Sequence, residues 1–136
     1  MHLILFPNQL FEPQELKKLS NNSIQIHLVE HTLFYGNRKY KYITSSGKSP
    51  KAEPMRFNRR KIVFHRATMM RFIDECKSQD LDITFHEDID SLKQIKKDLN
   101  SKKSDKIVFF DPVDRELLYE LNQSFPNGVQ LDTPYF

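Results

Sequence analysis

The side chains best suited to chemistry in this chain are few and scattered. Its five histidines stand at positions 2, 27, 31, 65 and 86, and none has the spacing of metal ligands carried on one local element. No Ser-His-Asp set has local support, so no catalytic residue is assigned; His65 meets a carboxylate only if the fold brings a distant one to it. The single cysteine, Cys76, excludes an internal disulfide, a CxxC metal site and a four-cysteine iron–sulfur cluster. It falls on the inner stripe of a helical segment, the place of a buried structural thiol rather than a nucleophile. The three glycines, Gly36, Gly47 and Gly128, are too dispersed for a P-loop or a GxGxxG turn.

Charge is the stronger signal. The net formal charge is +3, yet residues 38–71 hold eleven Lys or Arg against one acid, Glu53, while the remainder holds ten basic and seventeen acidic side chains. Tyr35, Tyr40, Tyr42 and Phe57 interleave with Arg38, Lys39, Lys41 and Arg56. Aromatic platforms between cations are what single-stranded nucleic acid stacks on. The same residues also suit a loop whose tyrosines cover a sheet. Arg38, Lys39, Lys41, Arg59 and Arg60 are the candidate nucleic-acid contacts, with weak binding that salt removes.

The elements that must position these residues follow from hydrophobic periodicity. Leu3–Phe6 is an apolar run without alternation, closed by Pro7-Asn8-Gln9. Glu12-Pro13 opens a short helix, since proline is tolerated in a first turn. Ser23–Val29 alternates at first and ends at Glu30-His31. Residues 36–56, with Gly47, Pro50 and Pro54, read as a long, irregular, mobile basic insertion. A main helix spans about Phe57–Ser78. Ile62, Met69, Phe72, Ile73 and Cys76 share one stripe, with His65 on it and Arg66 beside it. Val63, Ala67 and Met70 form a second apolar strip with Phe64 beyond it. One stripe suffices to cover a sheet face, so this second strip is expected to stay partly exposed or to lean on residues 36–56. Leu81–Phe85 alternates cleanly, Asp88–Ser91 cap a further helix, and Ile107–Phe110 is apolar throughout. Asp111 or Asp114 caps the last helix, and Val129–Leu131 forms a short final strand.

Strands alternating with helices predict an α/β, Rossmann-like open parallel sheet of about five strands with helices on both faces. The first and fourth strands are apolar on both sides and belong in the centre; the third alternates and belongs at an edge. Right-handed crossovers then give the order 3-2-1-4-5. Ligands of such sheets bind beyond the carboxyl ends where the winding reverses. That predicts a pocket from Asn8, Gln9, Glu30, His31 and Asp111, within reach of His65 and Arg66 near the start of the main helix; Tyr35 joins it only through the family resemblance described below.

A length of 136 residues fits one domain, 1–136. At 38% apolar and 29% charged, the composition rules out a membrane span and argues against wholesale disorder. No apolar N-terminal segment is long enough for a signal peptide, and with one cysteine the expected setting is the reducing cytoplasm.

Several segments together resemble the cryptochrome/photolyase-related protein family. These are Leu3-Ile4-Leu5-Phe6-Pro7-Asn8-Gln9-Leu10-Phe11, Leu28-Val29-Glu30-His31-Thr32-Leu33-Phe34-Tyr35, Arg59-Arg60-Lys61-Ile62-Val63-Phe64-His65-Arg66-Ala67-Thr68-Met69, Asp111-Pro112-Val113-Asp114 and Thr133-Pro134-Tyr135-Phe136. The resemblance covers nearly the whole chain apart from residues 43–55. It implies the N-terminal α/β domain of such proteins, which packs on a helical domain that binds FAD and holds damaged DNA. That domain would begin where this chain stops. The implied reading is a truncated, antenna-type domain without flavin or repair activity of its own, docking on an FAD-binding domain in trans or persisting as a remnant; the alternative is a free-standing α/β module binding a small ligand or nucleic acid through its basic segment. The resemblance also implies room for an antenna chromophore. However, Asn8, Val29, His65 and Val113 depart from the lumazine-binding pattern of the iron–sulfur branch, while Glu30 and Tyr35 fit it. The expectation is therefore no lumazine but a different antenna chromophore or none, with FAD only in the partner domain.

Overall fold

The computed structural model describes residues 1–21, 23–34, 59–99 and 106–133 in full, and residues 39–42 and 51–54 as backbone. Its strands are β1 (His2–Leu5), β2 (Gln25–His31), β3 (Lys39–Tyr42), β4 (Lys51–Pro54), β5 (Asp82–Ile89), β6 (Ile107–Phe110) and β7 (Val129–Leu131). Its helices are α1 (Pro13–Lys17), α2 (Arg59–Ser78), α3 (Lys96–Leu99) and α4 (Arg115–Ser124), with single 3-10 turns at Thr32–Phe34 and Leu92–Gln94.

Five strands form one parallel sheet in the order β5-β2-β1-β6-β7. In chain order of the sheet strands this is the expected 3-2-1-4-5. Burial explains the order. Every residue of β1 is buried, as is β6 after its first residue, whereas β5 alternates between exposed and covered positions and stands at an edge. One face carries Leu3, Leu5, Ile26, Leu28, Val108 and Phe110 under Leu16 of α1 and Met69, Phe72, Ile73 and Cys76 of α2. The other carries Ile4, Phe6, Val29 and Phe109 under Leu92, Ile95 and Leu99 and under Leu117, Leu121 and Phe125 of α4 and its end. Each such side chain taken from water contributes about 1.5–3 kcal/mol.

Local chemistry sets the ends of the elements. Pro13 opens α1. Asp114 Oδ1 accepts from the Leu117 N–H at 3.0 Å and starts α4. Gly128 leaves room for Phe109, whose Cε1 would stand 2.9 Å from any added Cβ.

Three expectations are corrected. The stretch 36–56 is not irregular throughout, because β3 and β4 pair antiparallel with Lys39 opposite Pro54 and Tyr42 opposite Lys51. The alternation Lys39-Tyr40-Lys41-Tyr42 is a period-two signal that the high basic content masked. The third sheet strand continues from Phe85 to Ile89, so Asp88 lies in a strand. Only Ser91 acts as a cap, its Oγ accepting from the Lys93 N–H. The element it opens is a 3-10 turn followed by one turn of α-helix rather than a continuous helix.

Candidate functional site

The winding reverses between β1 and β6, and there the loops after the two strands are joined by side chains. Gln9 is buried; its Oε1 accepts from the Phe6 N–H at 3.3 Å, and its Nε2 donates to the carbonyls of Phe110 at 3.3 Å and Asp111 at 2.9 Å. Asn8 Nδ2 donates to the Pro112 carbonyl at 3.2 Å. Asp111 turns its carboxylate onto its own loop, where Oδ1 accepts from the Val113 N–H at 2.8 Å. Val113 has a φ of 68° and is 86% exposed. A β-branched residue is disfavoured in that left-handed region, and little packing is lost with its side chain. Val113→Gly is therefore expected to raise stability by about 1 kcal/mol, measured as a shift of the urea midpoint at unchanged slope. A lowered midpoint would refute the strain.

Beside this seam, β2 ends in Glu30 and His31, which face opposite layers. Glu30 meets α2. Arg66 Nη2 donates to Oε1 at 2.6 Å, and Nε lies 2.6 Å from Oε2. Oε1 also accepts from the Asp88 N–H at 3.3 Å. Arg66 Nη1 donates to Glu87 Oε1 at 3.0 Å, and the guanidinium sits 5.8 Å from the centre of the Phe85 ring. The Glu30 side chain is 3% exposed and that of Arg66 42%. Partial burial pulls the Arg66 pKa down, but the charge and hydrogen bond of Glu30, joined by Glu87, outweigh it and raise the pKa above its ordinary value. The register of β2 with β5 shifts between Val29 and His31, and Asp88 adopts a φ of 52°. A strained, irregular edge thus surrounds the carboxylate.

His31 is fully buried. Its Nδ1 accepts from the Leu33 N–H at 3.1 Å, which leaves the ring proton on Nε2, 3.0 Å from Glu120 Oε2. Glu120 Oε1 accepts from the Leu92 N–H at 2.7 Å. This carboxylate therefore fastens β2, α4 and the Leu92–Gln94 turn together.

The predicted pocket residues thus fall into three sets: Asn8, Gln9 and Asp111 across the seam, Glu30 with Arg66, and His31 with Glu120. His65 is half-buried on α2, its ring edge-on to Phe64 with centroids 6.3 Å apart, and burial followed by the nearby Lys61 lowers its pKa. Arg66 reaches Glu30 and Glu87 rather than the seam loops. Tyr35 and Arg38 lie outside the described residues, as do Arg56 and Phe57. Lys39 and Lys41 lie in β3, with their backbone alone described, and Arg59 and Arg60 are exposed at the start of α2. Glu87 and Glu120 escaped sequence reading because an acid on an amphipathic element looks like solvated surface.

Sequence reading also missed a row of histidines. His2 Nδ1 lies 3.0 Å from His27 Nε2, and His27 Nδ1 lies 2.9 Å from His86 Nε2. All three are buried. Burial first, then the neighbouring His86 and His2, lower the His27 pKa to about 4. Burial lowers that of His86 too, against the opposing pull of Asp98, whose Oδ2 is 3.9 Å from His86 Nδ1. Cys76 is buried, and burial followed by Glu75 raises its thiol to about 11, so it is no nucleophile at neutral pH.

The polar side chains at the sheet end are already engaged by the fold. Asn8 and Gln9 donate to backbone carbonyls, and Glu30 is engaged by Arg66 and the Asp88 N–H. Among the described residues, no group of three or more His, Cys, Asp or Glu is arranged to hold a metal ion, and no helix is long and apolar enough to cross a membrane.

Comparison with curated proteins and with solved structures gave no match. The family model of the deoxyribodipyrimidine photo-lyase-related proteins, however, matches residues 3–135. With nearly the whole chain covered, and with the α/β sheet that the resemblance implied, the chain belongs to the deoxyribodipyrimidine photo-lyase-related protein family.

Proposed function

We propose that this domain works as the α/β, antenna-type half of a photolyase-related assembly, docking on a helical flavin-binding domain. Flavin binding and DNA repair chemistry belong to that partner, since light-driven repair needs the flavin as electron donor and a pocket for the flipped lesion. The reading places the domain in the cytoplasm, where Cys76 stays reduced. One observation carries it. On α2, Val63 is 61% exposed, Phe64 66% and Met70 38%. Val63, Phe64 and Ala67 line an open groove of about 650 Å³ together with Arg59 and Arg60. An apolar strip of this kind, beside a separate stripe already committed to the sheet, favours an interface.

The test is Phe64→Ser. Because the ring is mostly in water, stability is expected to change by less than about 1 kcal/mol, against about 3–5 kcal/mol for a truncated core phenylalanine. Docking of a photolyase-type flavin domain supplied in trans is expected to be lost. A large thermal destabilisation, or undiminished docking, would sink the reading.

The charge asymmetry supports a second reading, a free-standing module that binds nucleic acid through Arg38, Lys39, Lys41, Arg59 and Arg60. A two-stranded ribbon such as β3–β4 is a shape that the DNA major groove admits. Tight oligonucleotide binding that survives physiological salt and falls on charge removal at Arg59 and Arg60 favours this module over the docking domain.

A further inference from the structure

We infer that the His2–His27–His86 row is an acid-operated latch on the edge strand β5, and that its release loosens the Arg66 clasp at the sheet end. The row crosses three adjacent strands, with facing ring nitrogens 3.0 and 2.9 Å apart. It lies on the face opposite α2. His27 is met by His2 from β1 and His86 from β5, and His86 is met in turn by Asp98 from α3.

A neutral imidazole has one donor and one acceptor nitrogen, so three neutral rings make a continuous donor-to-acceptor chain. A first proton puts a positive charge in a buried site. A second proton anywhere in the row sets two N–H groups face to face and breaks one of the two ring contacts. Asp98 favours a proton on His86, while His86 and His2 both disfavour one on His27, so of these two rings the one on β5 charges first.

Release there reaches the candidate site through consecutive residues. His86 belongs to the row, Glu87 accepts from Arg66, and the Asp88 N–H donates to Glu30. β5 pairs with β2 alone, its register is already shifted near this end, and Asp88 carries a left-handed φ of 52°. An edge strand with these features opens at lower cost than the central strands β1 and β6.

The test is native-state hydrogen exchange, corrected for the intrinsic effect of pH. Thr84–Glu87 are expected to exchange through an opening that costs less than that of Val108–Phe110. With His27 held near 4 in the closed form, the opening equilibrium is expected to rise from pH 7 to pH 5, by at most about 20-fold, the value reached if opening returns the ring to its ordinary 6.5. The Arg66 Nε–H signal is expected to broaden over the same range. Equal opening equilibria for both segments at every pH would overturn the proposal, as would a β5 opening indifferent to pH. His27→Gln is expected to cut the dependence below about 3-fold, and an undiminished rise also counts against it. Should that variant not fold, proton NMR titration of the rings in the wild-type chain decides. Low titration of His27 and His86 supports the latch, and titration near the ordinary value overturns it.

Discussion

Arg66→Leu is expected to destabilise the domain by about 2–3 kcal/mol. The substitution keeps an apolar stem over Phe85 but leaves Glu30, 3% exposed, without its counter-charge. Breaking a buried pair by removing one partner costs about 3–5 kcal/mol, because the remaining charge is stranded. The lower figure applies here because Arg66 itself is 42% exposed, which lets water solvate part of the loss. Glu30→Gln should be milder, about 1 kcal/mol, since an amide oxygen can still accept from Asp88 and Arg66 is left partly in water with Glu87. Urea unfolding of the two variants at pH 7 gives both values. If Arg66→Leu costs under about 0.5 kcal/mol, the pair is an ordinary surface bridge and the irregular β5 edge owes nothing to it.

That pair also marks how far the sequence alone could reach. Glu30 and Arg66 were both legible as candidates, one from its place after an apolar strand and the other from its place beside an inner stripe. Their ion pair was not legible, because it depends on how α2 lies across β2. The strand order was legible for a simple reason: residues buried on both faces must be central, and β1 and β6 are. Likewise the exposure of Val63, Phe64 and Met70 followed from a helix with more apolar surface than one sheet face can cover. Asn8 and Gln9 were placed correctly at the winding reversal, but their donors turn to the carbonyls of Phe110, Asp111 and Pro112, which only the closeness of two loops a hundred residues apart reveals. The histidines looked scattered because their relation is register. Ile4 pairs with His27, and Val29 with His86, so residues separated by 25 and 59 positions in sequence stand ring to ring.

Stability should consequently fall on mild acidification, by about 2 kcal/mol between pH 7 and pH 4.5. His27 is lowered to about 4 in the folded chain, against about 6.5 when unfolded. Above pH 6.5 both states hold the ring neutral and no penalty arises. As pH falls from 6.5 towards 4, the unfolded chain takes up a proton that the folded row resists, and stability drops by up to about 1.4 kcal/mol per pH unit. Below 4 both states are protonated and the contribution levels off. The downward shift of His86 acts in the same direction and steepens the fall. Stopping at pH 4.5 keeps most ordinary carboxylates ionised, so the loss over this window reports histidine. Salt separates the causes. Burial is the largest contribution at His27, ahead of its two histidine neighbours, and burial is not screened, whereas repulsion between exposed charges is. Urea midpoints at pH 7, 6, 5 and 4.5 should therefore decline similarly in 0.1 M and 0.5 M sodium chloride, both concentrations lying about where the Debye length runs from 10 Å down to a few ångström. A flat profile between pH 7 and 5 would show that water reaches the three rings. A decline that 0.5 M salt abolishes would show that surface charge, and not the buried row, governs the acid response.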